Sequence, residues 1–335
     1  MFSAFSFDFT NLGENKMDKA INNEKVDKDF VLHHVMEPGP LSDRKLTGTW
    51  RDYITVTKVG IVLSNLMTAI AGMWLAAGGW SGFSQLPITQ IVLTLLGTGF
   101  IIASGTCLNN YIDRDIDQLM ERTKKRPSVD GRLEPKRVLL MGYILALAGT
   151  FLLLNVNIVA TLSALFGLFV YVIVYTLWLK RAHHINTVVG GISGAMPPVI
   201  GWTAVSGSLD IGVLVFFVLM FIWQPPHFLA LAIKRCEDYR KAGIPMLPVV
   251  KGIPVTKQQI IVWVASLIPA SLYLYLVAPL NLAYVTIALF LGIGWLILAL
   301  KDYKGTDHLK WASKNFLWSL LYLTGISLAC IVGTF

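Results

Sequence analysis

The stretch that follows the second apolar run of the chain carries three side chains able to ligate a cation. Asn109, Asp113 and Asp117 recur at every fourth position. If the helix continues through them, they share one face, with their oxygen atoms stacked along it. Like charges at this spacing destabilise a helix, so we expect a cation beside them. Oxygen ligands suit Mg²⁺, which binds one or two carboxylates together with water and phosphate oxygens.

A basic segment lies directly downstream and contains Arg122, Lys124 and Arg126. Arginine holds phosphate oxygens in a bidentate manner, and lysine adds a point charge. Carboxylates followed by such a cluster predict a site for a Mg²⁺-bound diphosphate. The alternative is a solvated loop at the membrane surface, which explains the basic residues but not the spaced carboxylates. Lys58, which precedes the first apolar run, either reaches the same phosphate or extends its ammonium group to the membrane surface.

A second polar cluster follows the sixth apolar run as the first follows the second. Lys234 and Asp238 form another pair four residues apart. Upstream of them, Pro225 and Pro226 predict a break in the helix, which a membrane tolerates where the backbone faces protein or a cavity. His227 lies beside this break. It is either a hydrogen-bonded packing residue or a contact for a substrate.

The composition places these clusters in a membrane protein. The 335 residues are 55% hydrophobic and 14% charged, with a mean hydropathy of +0.61, whereas soluble domains are about 25% charged. The chain is too hydrophobic for disorder, and three cysteines are too few for a disulfide scaffold. Nine apolar runs approach the length of about 20 residues that a spanning helix needs. We predict them at Val59–Trp80, Ile88–Leu108, Val138–Val156, Ile158–Leu179, Thr187–Val205, Ile211–Ile233, Ile260–Pro279, Leu282–Leu300 and Asn315–Phe335.

The Lys and Arg residues predict the orientation of these spans. All 28 lie either in the segment that ends at Lys58 or in every second connection between spans. Because positive charge favours the cytoplasmic side, we expect a cytoplasmic N-terminus, an extracytoplasmic C-terminus and cytoplasmic polar clusters. The net charge of +8 is thereby explained without nucleic acid. The predicted fold is an all-α polytopic membrane protein with nine transmembrane helices around a central cavity. Residues 1–50 are predicted as a flexible cytoplasmic tail, and residues 51–335 as the transmembrane domain.

The motifs resemble those of the intramembrane aromatic prenyltransferases, the UbiA superfamily. Asn109, Asp113 and Asp117 are similar to its first aspartate-rich motif, and the resemblance covers about residues 50–335. Four stretches resemble the branch of protoheme IX farnesyltransferases, or heme O synthases: Met120-x-Arg122-Thr123-x-x-Arg126-Pro127, Asn186-Thr187-Val188-x-Gly190-Gly191 through Pro197-Pro198-x-Ile200-Gly201-Trp202, Trp223-x-Pro225-Pro226-His227-Phe228 and Asp238-Tyr239-x-x-Ala242-Gly243-Ile244-Pro245-Met246-Leu247-Pro248. In quinone-prenylating relatives the second motif also begins with aspartate, whereas Lys234 holds that position here.

The resemblance implies an activity and its partners. The substrates would be farnesyl diphosphate and heme B, Mg²⁺ the cofactor, and heme O the product, a precursor of heme A. The enzyme would act in the lipid bilayer of the inner or plasma membrane, with heme A synthase as a candidate partner. A quinone or another aromatic compound is the alternative acceptor. A transporter or a non-catalytic heme-binding protein is the alternative class, although the spans contain few of the charged residues that ion coupling requires.

The resemblance also suggests roles for individual residues. We expect Asn109, Asp113, Asp117 and Asp238 to form the catalytic centre, with the three aspartates as Mg²⁺ ligands. The expected diphosphate-binding residues are Lys58, Arg122, Lys124, Arg126 and Lys234. His227 is the expected heme contact.

Overall fold

The apolar runs fold into helices in a computed structural model, which describes residues 47–334. Nine helices in this part are long and apolar enough to cross a membrane, which confirms the predicted all-α fold. They are α1 Val59–Ala76, α2 Ile88–Ile112, α3 Pro135–Leu154, α4 Ile158–Ala182, α5 Asn186–Ser206, α6 Ile211–Lys234, α7 Gly252–Val277, α8 Leu282–Leu300 and α9 His308–Val332. The predicted tail at residues 1–50 lies almost entirely outside the described residues, and a short helix begins at Trp50.

Polar residues in the short connections determine where several helices begin. The side chains of Asn157, Asp210, Asn281 and Asp307 each accept a hydrogen bond from a backbone N–H group in the first turn of α4, α6, α8 and α9, respectively. Such caps satisfy donors that the helix itself leaves unpaired. The helices α7 and α9 begin about two turns before the apolar runs predicted for them. Their first turns carry polar residues, which hydropathy alone does not assign to a span.

The predicted break at Pro225 and Pro226 is wrong, because both prolines lie inside the continuous helix α6. The interruption occurs instead in α5, which consists of two segments that meet at Ala195. There Pro197 and Pro198 lie at the start of the second segment, where the missing N–H group of proline would have no helical partner. The helix α6 packs against α5, α7 and α9, and both prolines are buried. Neighbouring helices of this kind support a helix with prolines in its interior.

Small residues bring α1 and α5 into close contact, as their number in the fifth span suggests. Gly72 of α1 lies against the backbone of Pro198, and Gly201 of α5 lies against the backbone of Ala69. The helix α1 also packs against α2 and α9, and α9 packs against α6 and α8. The helix α4 packs against α2 and α5, and α5 packs against α6.

Candidate active site

The three predicted metal-site residues of the first cluster lie together at the end of α2. Asn109, Asp113 and Asp117 are at most 5% exposed. The helix is interrupted at Asp113 and resumes as the short helix Arg114–Asp117. Backbone bonds from Asp113 N to Asn109 O (2.9 Å) and from Asp117 N to Asp113 O (2.8 Å) preserve the four-residue spacing. The Asn109 amide donates to Asp113 Oδ2 over 2.6 Å.

Each of these side chains contacts a cation from a different part of the chain. Lys180, at the end of α4, forms an ion pair with Asp113. Arg126, from the loop after α2, forms an ion pair with Asp117. Lys58, immediately before α1, donates from Nζ to Asn109 Oδ1 over 3.1 Å. The expected cations beside the stacked oxygens are therefore Lys and Arg side chains of the protein itself.

Sequence reasoning missed the contribution of α4. Residues Val170–Leu179 of this helix form a π-helical stretch, a feature that is frequent at functional sites. Thr176 lies in it, and its Oγ1 accepts a hydrogen bond from the Asn109 amide (3.3 Å). Lys180 follows directly and is buried. In the sequence, Lys180 is simply a basic residue at the end of an apolar run. The preference of positive charge for the cytoplasmic side already explains a lysine at that position, so nothing marked it as a site residue.

Arg181 links the end of α4 to the segment around Asp113. Its guanidinium donates to both carboxylate oxygens of Asp115, over 2.6 and 2.7 Å, and to the carbonyl oxygen of Ile112 over 3.0 Å. Arg181 Nη2 lies 3.7 Å from Asp113 Oδ1. Asp115 is therefore paired outside the face that carries Asn109, Asp113 and Asp117.

Burial shifts the titration of two residues in this site. It lowers the pKa of the Lys58 ammonium to about 7, and the charges of Arg126 and Lys180 act in the same direction. Burial also raises the pKa of Asp117, even though Arg126 is paired with it. An added anion near Lys58 and an added cation near Asp117 would each favour the charged form. Perturbed pKa values of this kind are frequent at functional sites.

Arg122 and Lys124 lie at the outer edge of this site. Arg122 is exposed, and Lys124 forms a 2.6 Å ion pair with the exposed residue Glu121. Neither of them contacts the carboxylates at the end of α2. A buried hydrogen bond fixes the loop that carries these two residues: Thr123 Oγ1 donates to the carbonyl oxygen of Asp117 over 2.8 Å.

The loop after α6 packs against the loop after α2. Ile116 and Met120 form an apolar cluster with Ala232, in the last turn of α6, and with Ile244 and other residues of the loop that follows α6. In that loop, burial raises the pKa of Tyr239, while the charges of Arg122 and Arg126 lower it. The loops that carry the two polar clusters are thus in contact.

The two residues of the second polar cluster, Lys234 and Asp238, have different surroundings. Asp238 is half-buried and forms no ion pair with a described residue. Lys234 is directed toward α9, with its Nζ 4.8 Å from the centre of the Phe316 ring. His227, two turns earlier on α6, stacks between the rings of Trp223 (4.7 Å) and Phe316 (4.9 Å). Lys234 therefore lies beside the aromatic group around His227.

The arrangement can accept a magnesium ion that brings its own oxygen ligands. Among residues 47–334, no three Asp, Glu, His or Cys side chains are grouped closely enough to form a metal site by themselves. Asp113 Oδ1 is buried and has no hydrogen-bond partner among these residues. A magnesium ion usually binds one or two carboxylates and completes its shell with water and substrate phosphate oxygens. The residues present fit this mode of binding.

Comparison with known proteins identifies the family. Residues 65–321 match the UbiA prenyltransferase family. The chain is 50% identical over 304 residues to the protoheme IX farnesyltransferase of Geobacillus kaustophilus (strain HTA426), which covers 91% of this chain and 97% of the relative. It is also 50% identical over 289 residues to protoheme IX farnesyltransferase 2 of Bacillus subtilis (strain 168), covering 86% and 93%, respectively.

Solved structures share the fold at low sequence identity. A UbiA homolog from Archaeoglobus fulgidus bound to GPP and Mg²⁺ superimposes with a TM-score of 0.66 at 16% identity, over 84% of this chain and 99% of that one. A digeranylgeranylglyceryl phosphate synthase gives a TM-score of 0.70 at 19% identity, over 84% and 97%. These likenesses concern the fold alone. The match over residues 65–321 and the similarity to relatives at 50% identity show that the chain belongs to the UbiA prenyltransferase family.

Proposed function

We propose that this protein transfers the farnesyl group of farnesyl diphosphate to a vinyl group of heme B, giving heme O. The observation that carries the proposal is the site at the end of α2, where Lys180 pairs with Asp113 and Arg126 pairs with Asp117. Lys58 donates a hydrogen bond to Asn109 beside these two pairs. The carboxylates of this site match a metal ion in charge, and its lysine and arginine side chains match a diphosphate. The choice of heme B rests on the relatives at 50% identity, which are named protoheme IX farnesyltransferases.

The donor diphosphate lies between the carboxylates and the cations in this proposal. Lys180, Arg126 and Lys58 bind its oxygens, and Arg122 and Lys124 attract it from the outer edge. Asn109, Asp113 and Asp117 hold the magnesium ion, and Asp238, which does not group with them, orients a water molecule that completes the site. When bound, Mg²⁺ neutralises negative charge on the diphosphate oxygens. Lys234, which the sequence also suggested for the diphosphate, lies against Phe316 instead, and its role is tested separately below.

The reaction begins with cleavage of the bond between C1 of the farnesyl group and its diphosphate oxygen. Lys180 and Arg126 stabilise the negative charge that develops on the leaving group. The terminal carbon of the heme vinyl group attacks the allylic cation, and water adds to the cation left on the heme side chain and loses a proton. The farnesyl tail lies among the helices, in a central cavity open to lipid. Exclusion of water from C1 protects the allylic cation until the vinyl group reacts.

The orientation of the protein in the membrane belongs to the same proposal. We place the site on the cytoplasmic side of the plasma membrane, because every Lys and Arg lies in the segments predicted to face the cytoplasm. The product then enters the bilayer close to enzymes that modify heme O further. Heme A synthase is the proposed partner for that step.

An acceptor assay tests the proposal directly. Purified protein in detergent is incubated with heme B, farnesyl diphosphate and Mg²⁺, and the hemes are separated by chromatography and weighed by mass spectrometry. We expect a heme that is heavier by a farnesyl group and one water, and that is lost when EDTA is added. Prenylation of a phenolic acceptor without a new heme would assign the protein to another prenyltransferase branch. Heme binding that is unaffected by Asp113→Ala and occurs without turnover would indicate a non-catalytic heme-binding protein.

A further inference from the structure

The hydrogen bonds around His227 define which of its ring nitrogens carries the proton. Ser319 Oγ, on α9, lies 2.6 Å from His227 Nδ1 and 2.5 Å from the carbonyl oxygen of Phe316. Contacts this short between two electronegative atoms each require a proton. A serine hydroxyl has only one proton to donate. Because the carbonyl oxygen of Phe316 can only accept, the hydroxyl donates to it, and His227 Nδ1 must donate to Ser319 Oγ.

This tautomer leaves the other ring nitrogen with a free lone pair. With the proton on Nδ1, a neutral His227 has an unprotonated Nε2. Nε2 forms no hydrogen bond with any residue from 47 to 334, and the residue as a whole is only half-buried. An imidazole whose first nitrogen is held by a hydrogen bond and whose second is free has the form that metal-ligating histidines adopt.

Aromatic rings pack against both faces of the imidazole. His227 is stacked between Trp223 and Phe316. Trp223 donates from its indole nitrogen to the carbonyl oxygen of Ser319 over 2.9 Å. Ser319 therefore bonds to His227 through its hydroxyl group and to Trp223 through its carbonyl oxygen. The imidazole cannot turn without breaking the ring stack and the hydrogen bond at Nδ1. A site built in this way presents one nitrogen in one direction, which a general packing role does not require.

We infer that His227 Nε2 is an axial ligand to the iron of the heme acceptor, and that Ser319 is a positioning residue that holds the imidazole in the ligating tautomer. The inference rests on the proposed function for the identity of the acceptor. The Nε2 lone pair forms the bond to iron, and no proton is released because that nitrogen carries none. Coordination through α6 and α9 would fix the position of the porphyrin relative to the donor site at the end of α2.

Heme binding in the absence of farnesyl diphosphate provides the test. The full-length protein in detergent is titrated with hemin, and the bound iron is followed by optical absorption and electron paramagnetic resonance. The variants are His227→Ala and His227→Phe, of which the second retains an aromatic ring in the stack. We expect both variants to lose the histidine-ligated signature, and added imidazole to restore it in His227→Ala. Restoration by imidazole would also show that the variant is folded. His184→Ala, half-buried in a stacked pair with the exposed His183, is the matched control and should leave the spectra unchanged.

Ser319 is tested by a pair of variants. Removal of an outer hydrogen-bond partner typically weakens a metal site by about 10- to 100-fold. We therefore expect Ser319→Ala to bind hemin at least about tenfold more weakly with an altered iron spectrum, and Ser319→Thr, which retains the hydroxyl group, to resemble the unaltered protein.

The outcomes separate this inference from the proposed function. Unchanged spectra in both His227 variants, with farnesyl transfer to heme B intact in the unaltered protein, would overturn the inference alone. If the unaltered protein bound no hemin and prenylated another acceptor, the proposed function would fail, and the ligand assignment with it. A spectrum that depends on His227, observed without any farnesyl transfer, would support the ligand assignment and contradict the enzyme activity.

Discussion

Lys58 Nζ donates to Asn109 Oδ1 over 3.1 Å, which joins the residue before α1 to the last turn of α2 across 51 positions of the chain. The backbone of Lys58 is left-handed, with φ of 52°, a conformation that costs a non-glycine residue about 1 kcal/mol. Asn110 holds the preceding segment in place through a 2.9 Å bond to the carbonyl oxygen of Val56. The chain thus keeps an unfavourable backbone conformation at the residue whose ammonium group reaches the site.

Replacement of Lys58 by glycine should separate these two properties. Glycine adopts the left-handed conformation freely, so we expect Lys58→Gly to be at least as stable to thermal unfolding as the unaltered protein. Loss of a charged hydrogen bond, worth about 1.5–3 kcal/mol, should raise the KM for farnesyl diphosphate by about tenfold or more. Steady-state kinetics and melting temperature are the measurements. Lys58→Arg is the charge-preserving control, and an unchanged KM in Lys58→Gly would remove this residue from the donor site.

The three aspartates around the end of α2 should differ sharply in importance. We expect Asp113→Asn and Asp117→Asn each to lower kcat/KM for farnesyl transfer by at least about 100-fold, because each removes a carboxylate that would hold Mg²⁺ on the diphosphate. Asp115→Asn changes the same chemical group, but its carboxylate is paired with Arg181 at a partly exposed position. Such a pair contributes about 0–1 kcal/mol, so the loss should remain below about fivefold. Membrane fractions would establish that every variant is inserted, and activity in an Asp113→Ala/Asp117→Ala double variant would refute the site.

The same region shows what sequence can and cannot predict. Asn109, Asp113 and Asp117 follow a local period of four, and local helical geometry brings them together whatever the rest of the fold does. Lys180 lies 67 residues from Asp113, and their contact depends on how α4 packs beside α2. No periodicity in the chain encodes that packing. The predicted break at Pro225 and Pro226 failed for the same reason, because neighbouring helices decide whether these prolines interrupt a helix.

Lys180, at the end of α4, and Lys234, at the end of α6, should differ in their effect on the KM for farnesyl diphosphate. Lys180 is buried against Asp113, whereas Lys234 lies over the Phe316 ring beside His227. We expect Lys180→Met to raise the KM for farnesyl diphosphate by about tenfold or more, since it removes a charged contact of about 1.5–3 kcal/mol. Lys234→Met should leave that KM within about twofold. Parallel kinetics with farnesyl diphosphate as the varied substrate distinguish them. A large increase for Lys234→Met would return this residue to the diphosphate site that the sequence suggested.

The close contact of α1 with α5 predicts a stability effect. A methyl group on Gly201 would collide with the backbone of Ala69, so Gly201→Ala should destabilise the protein by about 1–3 kcal/mol through overpacking. Gly60→Ala provides the matched control, because a methyl group there meets no atom within 4 Å. Alanine favours the helix by up to about 1 kcal/mol, so this control should be neutral or stabilising. Thermal unfolding in detergent measures both, and equal melting temperatures would contradict the packing argument.

The ion pairs of the donor site predict that magnesium and diphosphate bind cooperatively. Lys180 and Arg126 already neutralise Asp113 and Asp117, so a metal alone must compete with two cations, and diphosphate alone must compete with two carboxylates. When both are added, each carboxylate gains a metal and each cation gains a phosphate oxygen. We therefore expect Mg²⁺ with inorganic diphosphate to raise the melting temperature, by the equivalent of about 2.7 kcal/mol at 100 times the dissociation constant, and either one alone to have little effect. Asp113→Asn should abolish the joint effect, whereas Asp115→Asn should preserve it. An equal shift from Mg²⁺ alone would show that the carboxylates are free to bind metal without the substrate.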